Sequence, residues 1–258
     1  MSTAKPNLEL QIEVAQTADQ VLLAFEPMRQ AFGFQTRDAV FTGTNPGWDT
    51  PAGAQQAAER FTTRFTRATT NAAGKPNSLF LVATVADPAT RRRVVAGMAL
   101  WEQASVVPGH GDAPTADEGE DLGVAALFPG DAPRQAYWTA VMGAMHRRRW
   151  EVVRSKAAAC PPALLALDLC AVDPRFQGRG IGSRLVEWGL REAEARGGLE
   201  AVTEASVMGR PVYLKLGFEQ DGPEVDFDGV GEVGKTPLPS LVFLRTRKPQ
   251  VRQRSVVR

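Results

Sequence analysis

The stretch from Leu164 to Arg196 constrains the fold more than any other part of this 258-residue chain. It begins LLALDLCAV, an almost wholly apolar run broken by one carboxylate, Asp168, which is the profile of a central strand covered on both faces. Asp173-Pro174 ends the run. The turn RFQGRGIG follows, with glycines at 178, 180 and 182, and leads into a helical stretch that Gly197-Gly198 closes. A glycine-rich, cationic turn that opens a helix suits a phosphate. Unpaired backbone N–H groups and the positive end of the helix dipole face the anion, and glycine lets it approach without a Cβ in the way.

Three phosphate-binding templates compete for this turn. The dinucleotide fingerprint G-x-G-x-x-G fails because position 183 is serine and Gly182 breaks the spacing. No G-x-x-x-x-G-K-S/T string occurs, which excludes the P-loop. The third template, Q/R-x-x-G-x-G/A, is satisfied by Gln177-Gly-Arg-Gly180-Ile-Gly182. A second register, Arg175-x-x-Gly178-x-Gly180, satisfies it too; the first places Gly182 at the helix start and is preferred.

The rest of the chain alternates strand and helix signals without a linker at mid-chain, so a single α/β (α+β) domain over 1–258 is expected. Strands are predicted at Leu8–Val14, Leu79–Val85, Val94–Trp101, Leu199–Val207 and Leu241–Thr246. The second and third are joined by DPATRRR and should pair antiparallel. Helices are predicted from Thr17-Ala-Asp-Gln onward, from Ala52 to Thr69, from Arg134 to about Ala159 and from Arg210 to Leu216, with Phe32 to Ala54 read as a loop around Trp48. Gln103 to Pro133 is rich in Gly, Pro, Asp and Glu and reads as an exposed excursion, and the tail 248–258 as flexible.

Bulk properties exclude several classes. Thirty basic against 29 acidic side chains give no global field for nucleic acid or a membrane surface, and no apolar run is long enough for a membrane span. Arg147-Arg-Arg149 reads as a solvated helix end. Cys160 and Cys170 form no disulfide framework, and neither they nor His110 and His146 make a metal set. With no signal-peptide layout in the first residues, a cytoplasmic, intracellular location is expected.

Residues Leu164 to Gln220 resemble the core of the GNAT superfamily of acyl-CoA-dependent N-acyltransferases. The likeness rests on LDLCAVDP, RFQGRGIG, the helix SRLVEWGLREAEARGG, the strand LEAVTEASV and the ending PVYLKLGFEQ, whose Tyr-x-x-x-Gly-Phe is as telling as the glycine turn. Residues 103–159 look like an insertion of fungal or antibiotic-modifying members. The resemblance implies a central mixed, mostly antiparallel sheet, splayed between two central strands and flanked by helices, with acetyl-CoA as acyl donor and no metal. It implies that the amides from Arg179 to Ser183 (Gly180, Ile181, Gly182) cradle the pyrophosphate, with Gln177, Gly178, Arg179 and Arg184 beside them. Cys170, Ala171, Val172 and Ser206 would flank the pantetheine, and the Val172 amide would serve as oxyanion donor. Tyr213 resembles the general acid. The carboxylate position of histone-type relatives is filled by Ala166, a departure that argues against a histone-like mechanism.

Three carboxylates remain candidates for the general base. Asp168 is expected to face the same side as Ala166 and Cys170, a lone carboxylate in an apolar strand being costly unless paired or functional. Glu102 and Glu204 could relay a proton through water, and Glu204 could instead brace the Tyr213 helix. Trp48, Trp101 and Trp138 could line an acceptor pocket, with core packing as the plainer role. The expected activity is acetyl transfer to a primary amine of a small molecule by a monomer or homodimer, without nucleic-acid or membrane partners. A protein or peptide N-acetyltransferase and a non-catalytic acyl-CoA-binding regulatory module are the alternatives.

Overall fold

The computed structural model describes residues 9–87, 90, 92–231 and 237–246; the predicted tail and Leu8, the first residue of the first predicted strand, lie outside these. Seven strands form one sheet: β1 (Gln11–Val14), β2 (Ser78–Ala86), β3 (Arg93–Ala104), β4 (Leu164–Val172), β5 (Glu200–Ser206), β6 (Glu219–Glu224) and β7 (Leu241–Arg245). Their order is β1-β2-β3-β4-β5-β7-β6, so the apolar run with one carboxylate is the middle strand, as its profile requires. Every neighbouring pair is antiparallel except β4–β5. The sequence reading missed β6, an edge strand of charged and exposed residues (EQDGPE) with no apolar alternation to reveal it.

Helices cover both faces. α1 (Ala18–Met28) starts at a capping box in which Thr17 and Gln20 bond each other's backbone, and it runs straight into a π-helical turn over Arg29–Gln35. α2 (Ala39–Thr44) follows, so the predicted loop 32–54 contains two short helical pieces. α3 (Pro51–Thr66) is capped by Thr50 with proline in its first turn. α4 (Glu118–Leu122) and α5 (Val124–Leu127) lie within the predicted excursion, and α6 (Ala132–Ser155) is the long helix that follows it. α7 (Ile181–Ala195) and α8 (Arg210–Lys215) complete the set.

α7 and α8 close one face on Leu165, Leu167, Ile181, Leu185 and Phe218. α1 and α3 close the other over Phe80 and Leu100, and Val152 and Val153 of α6 pack beside them on Leu164, Ala166 and Val202. Each fully buried leucine or phenylalanine in these layers contributes about 1.5–3 kcal/mol relative to exposure. Trp101 is fully buried on the α7 face and Trp138 is buried among Val124, Phe128 and Val141, so these two pack in the core. Trp48 packs edge-on to Phe34 and Phe41.

Candidate functional site

The site begins where two strands part. β4 and β5 pair in parallel only from Leu164 opposite Glu200 to Leu167 opposite Thr203. There the Thr203 hydroxyl donates to the Leu167 carbonyl at 2.9 Å, and beyond it the strands separate as the family resemblance implies. On its other edge β4 stays paired with β3 up to Val172 opposite Gly97, and Asp173 N–H donates to Ala96 O. By the alternation of an antiparallel ladder, the main-chain groups of Cys170 and Val172 therefore point into the slot.

A β-bulge sits at the fork. Leu100 opposes Leu169 while Trp101 opposes Leu167, so Asp168 is the extra residue. The insertion reverses which face later residues take. Leu165 and Leu167 lie with Cys170 and Val172 in the α7 layer, whereas Ala166 lies in the α6 layer and Leu169 and Ala171 in the α1 layer. Asp168 thus shares the face of Ala166 but not that of Cys170, which corrects the expectation from simple alternation. Its carboxylate accepts from Arg64 of α3 at 2.9 Å and from Arg149 of α6 at 3.0 Å.

Arg149 also holds both carboxylate oxygens of Glu204 on β5, so one guanidinium spans the fork. This corrects two readings. Arg149 is buried at 2% exposure rather than solvated with its neighbours, and Glu204 braces α6 rather than the Tyr213 helix. Arg147 and Arg148 are exposed, as a solvated helix end requires. Burial alone would raise the Asp168 pKa, but the two guanidinium groups outweigh it and hold the carboxyl well below the usual range. Glu102, bonded to Arg64 at 3.0 Å, is shifted up by burial and by the nearby Asp168 charge.

On the α7 side the slot opens into a cleft of about 700 Å³. Residues 170–172 form its floor, residues 35–39 one wall, Gln177, Gly178 and residues 180–183 the other, and Ser206–Gly209 with Val212 and Tyr213 its end. The glycine wall has the geometry of an anion cradle. Gly180 caps α7 with φ +81° and no side-chain cap, and a Cβ there would meet nothing within 4 Å. The first amides of α7 therefore stay free of intrahelical partners and line the cleft. Every other capped helix described above has a Thr or Asp filling this role, except the short α5 and α8. The residues present thus fit a diphosphate.

The Gln177 register is the one that faces the cleft. Its side chain donates to Val172 O and exchanges a reciprocal amide pair with Gln35, at 2.9 and 2.8 Å, which ties the π-helical turn to the glycine turn. Arg175 instead is engaged with Asp173 through three contacts. Arg179 and Arg184, expected beside the phosphates, are exposed and lie outside the cleft lining.

Tyr213 owes its place to the local chemistry of Tyr-x-x-x-Gly-Phe. Gly217, at φ +88°, ends α8: Phe218 N–H donates to Tyr213 O and Gly217 N–H to Leu214 O. The Tyr213 and Phe218 rings, 5.8 Å apart, complete this Schellman arrangement. The phenol is buried yet lines the cleft, and burial, reinforced by Cys170, raises its pKa well above the ordinary tyrosine value. The Cys170 thiol is pushed by burial up to about 12, so at neutral pH it is a thiol and no nucleophile.

One cleft group escaped the sequence reading. Asp38 caps α2, accepting from Phe41 N–H at 2.9 Å, and it is the carboxylate that lines the cleft together with Tyr213. Burial raises its pKa, offset in part by the backbone bonds it accepts. Its predecessor Arg37 holds φ +50°, a left-handed conformation that costs a non-glycine about 1 kcal/mol or more. An Asp before Ala-Val-Phe is a helix-start signal, but it falls in a stretch whose Gly, Pro and Thr content reads as loop.

Residues 157–234 match the family model of the acetyltransferase (GNAT) domain. Arylalkylamine N-acetyltransferase 2 from Aedes aegypti shares the fold at 17% identity and TM-score 0.55, covering 92% of this chain and 98% of that one. A mosquito arylalkylamine N-acetyltransferase like 5b (13%, TM-score 0.53, 92% and 99%) and an agmatine N-acetyltransferase mutant in its apo form (14%, TM-score 0.52, 92% and 98%) do so as well. Among curated proteins none matches the sequence significantly. Residues 157–234 thus match the GNAT acetyltransferase domain, and the described chain shares the fold of these solved N-acetyltransferases.

Proposed function

We propose that the protein transfers an acetyl group from acetyl-CoA directly to a primary amine of a small molecule. The observation that carries this is one continuous cleft. It joins an uncapped helix N-terminus at one end to a buried, protonated phenol at the other, with a strand edge between them. The amides at residues 181–183 would hold the diphosphate, and the slot-facing groups of Cys170 and Val172 would pair with the pantetheine amides as an added strand does. Bound there, acetyl-CoA supplies an activated thioester carbonyl.

The protein's own groups then divide the work. Asp38 takes a proton from the attacking ammonium so that the nitrogen lone pair can bond the carbonyl carbon. A slot-facing amide, Val172 N–H in the family assignment, stabilises charge on the carbonyl oxygen. As the C–S bond breaks, Tyr213 donates its phenolic proton to the departing thiolate and is restored by the second proton that the newly acylated nitrogen releases. Asp168, Glu102 and Glu204 act less directly, because Asp168 and Glu204 are committed to guanidinium groups and Glu102 to Arg64. The fold neighbours whose names specify arylalkylamines and agmatine support a small amine as acceptor. A competition assay with acetyl-CoA, a mixture of small primary amines and a lysine peptide tests this. N-acetylation of a small amine is expected, and acetylation of the peptide alone would overturn it.

A further inference from the structure

The cleft wall opposite the glycine turn carries charge of its own. Gln35 and Gln177 meet across the cleft, so two glutamine side chains joined end to end span it there. Arg37, two residues past Gln35, lines the same wall. An arginine side chain is longer than a glutamine's, so one from this wall can cover more than half that span. Among the described residues Arg37 is the one basic side chain in the lining, as Asp38 is the one acidic side chain.

Two observations set Arg37 apart. Its side chain is exposed and makes no ion pair or hydrogen bond among the described residues. Its neighbours on the wall are engaged: the Thr36 hydroxyl donates to Ala31 O at 3.1 Å, and Asp38 caps α2. Its backbone, moreover, holds φ +50°, and among the described residues every other positive φ belongs to a glycine. Glycine would hold this turn without strain. Nothing inside the molecule offsets that strain, so a ligand must.

The opposite wall indicates which ligand. The N-terminus of α7 offers about half an elementary charge, which leaves a diphosphate short of compensation. The arginines of the glycine turn do not make up the difference. Arg175 is tied to Asp173, and Arg179 donates to Arg175 O at 3.3 Å with its guanidinium 5.8 Å from the Phe176 ring. Arg184 is exposed and outside the lining. A guanidinium also matches phosphate oxygens two at a time.

Resting on acetyl-CoA as the donor, we propose that Arg37 is the cation of the donor site and pairs with the CoA diphosphate from the wall opposite the helix N-terminus. The anion is then held between a guanidinium and the amides of residues 181–183. Arg37 lies outside residues 157–234, so the family motif supplies one half of this site and the connection from α1 to α2 the other. The same contact fixes the segment that carries Asp38.

Calorimetric titration of the wild type, Arg37→Gln and Arg37→Gly with CoA and with 3′-dephospho-CoA tests this. Both variants should bind both ligands about 10- to 100-fold more weakly, the worth of a charge-assisted contact. Arg179→Gln and Arg184→Gln should lose clearly less. Without ligand, Arg37→Gly should melt at a higher temperature than the wild type, because the strain is gone. A loss confined to CoA would put Arg37 on the 3′-phosphate and overturn the proposal. Unchanged affinity for both ligands overturns it too, with or without a raised KM for the amine, as does an Arg37→Gly protein that loses affinity and melts lower. If the wild type binds neither ligand, the acetyl-CoA reading falls and the proposal with it. If CoA binds but no amine is acetylated, only the transfer reading falls, and the titrations still decide the role of Arg37.

Discussion

At the scale of single residues, the proposed transfer divides its labour between an acid and a base whose pKa values burial shifts. Burial keeps the Tyr213 phenol protonated beyond its ordinary range, which suits it to give a proton to a thiolate. Tyr213→Phe should lower kcat by about 10²–10⁴-fold, the usual worth of a positioned acid, with acetyl-CoA affinity nearly kept; steady-state kinetics and a binding titration check both. Asp38, raised by burial, can accept a proton only when ionised. Activity should therefore fall as pH drops through its folded pKa, which lies above the ordinary aspartate value. Asp38→Asn should lower the rate and flatten that acid limb of the pH profile. Tyr213 was legible in the sequence because its motif is also a helix stop that only Gly217 permits. Asp38 was not, because its helix-start signal lies in a stretch whose Gly, Pro and Thr content reads as loop, and its burial does not follow from neighbouring residues.

At the scale of elements, the fork of β4 and β5 is held by a residue that sequence spacing assigned to solvent. Arg149 sits at the end of an arginine run, and only the crossing of α6 over the sheet tells it apart from Arg147 and Arg148. Arg149→Met would leave Asp168 and Glu204 buried with a partner removed. The expected loss is about 3–5 kcal/mol, whereas Arg147→Met at an exposed site should stay within about 0.5 kcal/mol; urea unfolding of the two variants measures the contrast. The bulge at Asp168 was equally hidden. Its sign is a face reversal between Leu167 and Cys170, and an apolar run with hydrophobic residues on both faces carries no alternation from which a reversal could be read.

At the scale of the whole molecule, the central place of β4, the antiparallel pairing of β2 with β3 and the separation of β4 from β5 follow what the sequence patterns and the family resemblance imply. The charge network at the fork does not, since Arg64 of α3 and Arg149 of α6 meet Asp168 only in the fold. The charge network that joins these layers also sets the response to acid. Asp168 has a depressed folded pKa, so its stabilisation is present above the unfolded value of about 3.9 and is lost as pH falls from there toward the lower folded value. Asp168→Asn should therefore be less stable than the wild type at neutral pH and approach it below about pH 3 in thermal melts.

The central claim is direct acetyl transfer in the β4–β5 slot, and the most direct measurement follows thiol release from acetyl-CoA together with the masses of amine and protein. The account predicts release that depends on the amine, one N-acetylated amine per thiol, and no acetyl group left on Cys170. Thiol release without acetylated amine, or acetyl-CoA bound and unchanged with every amine offered, would contradict it.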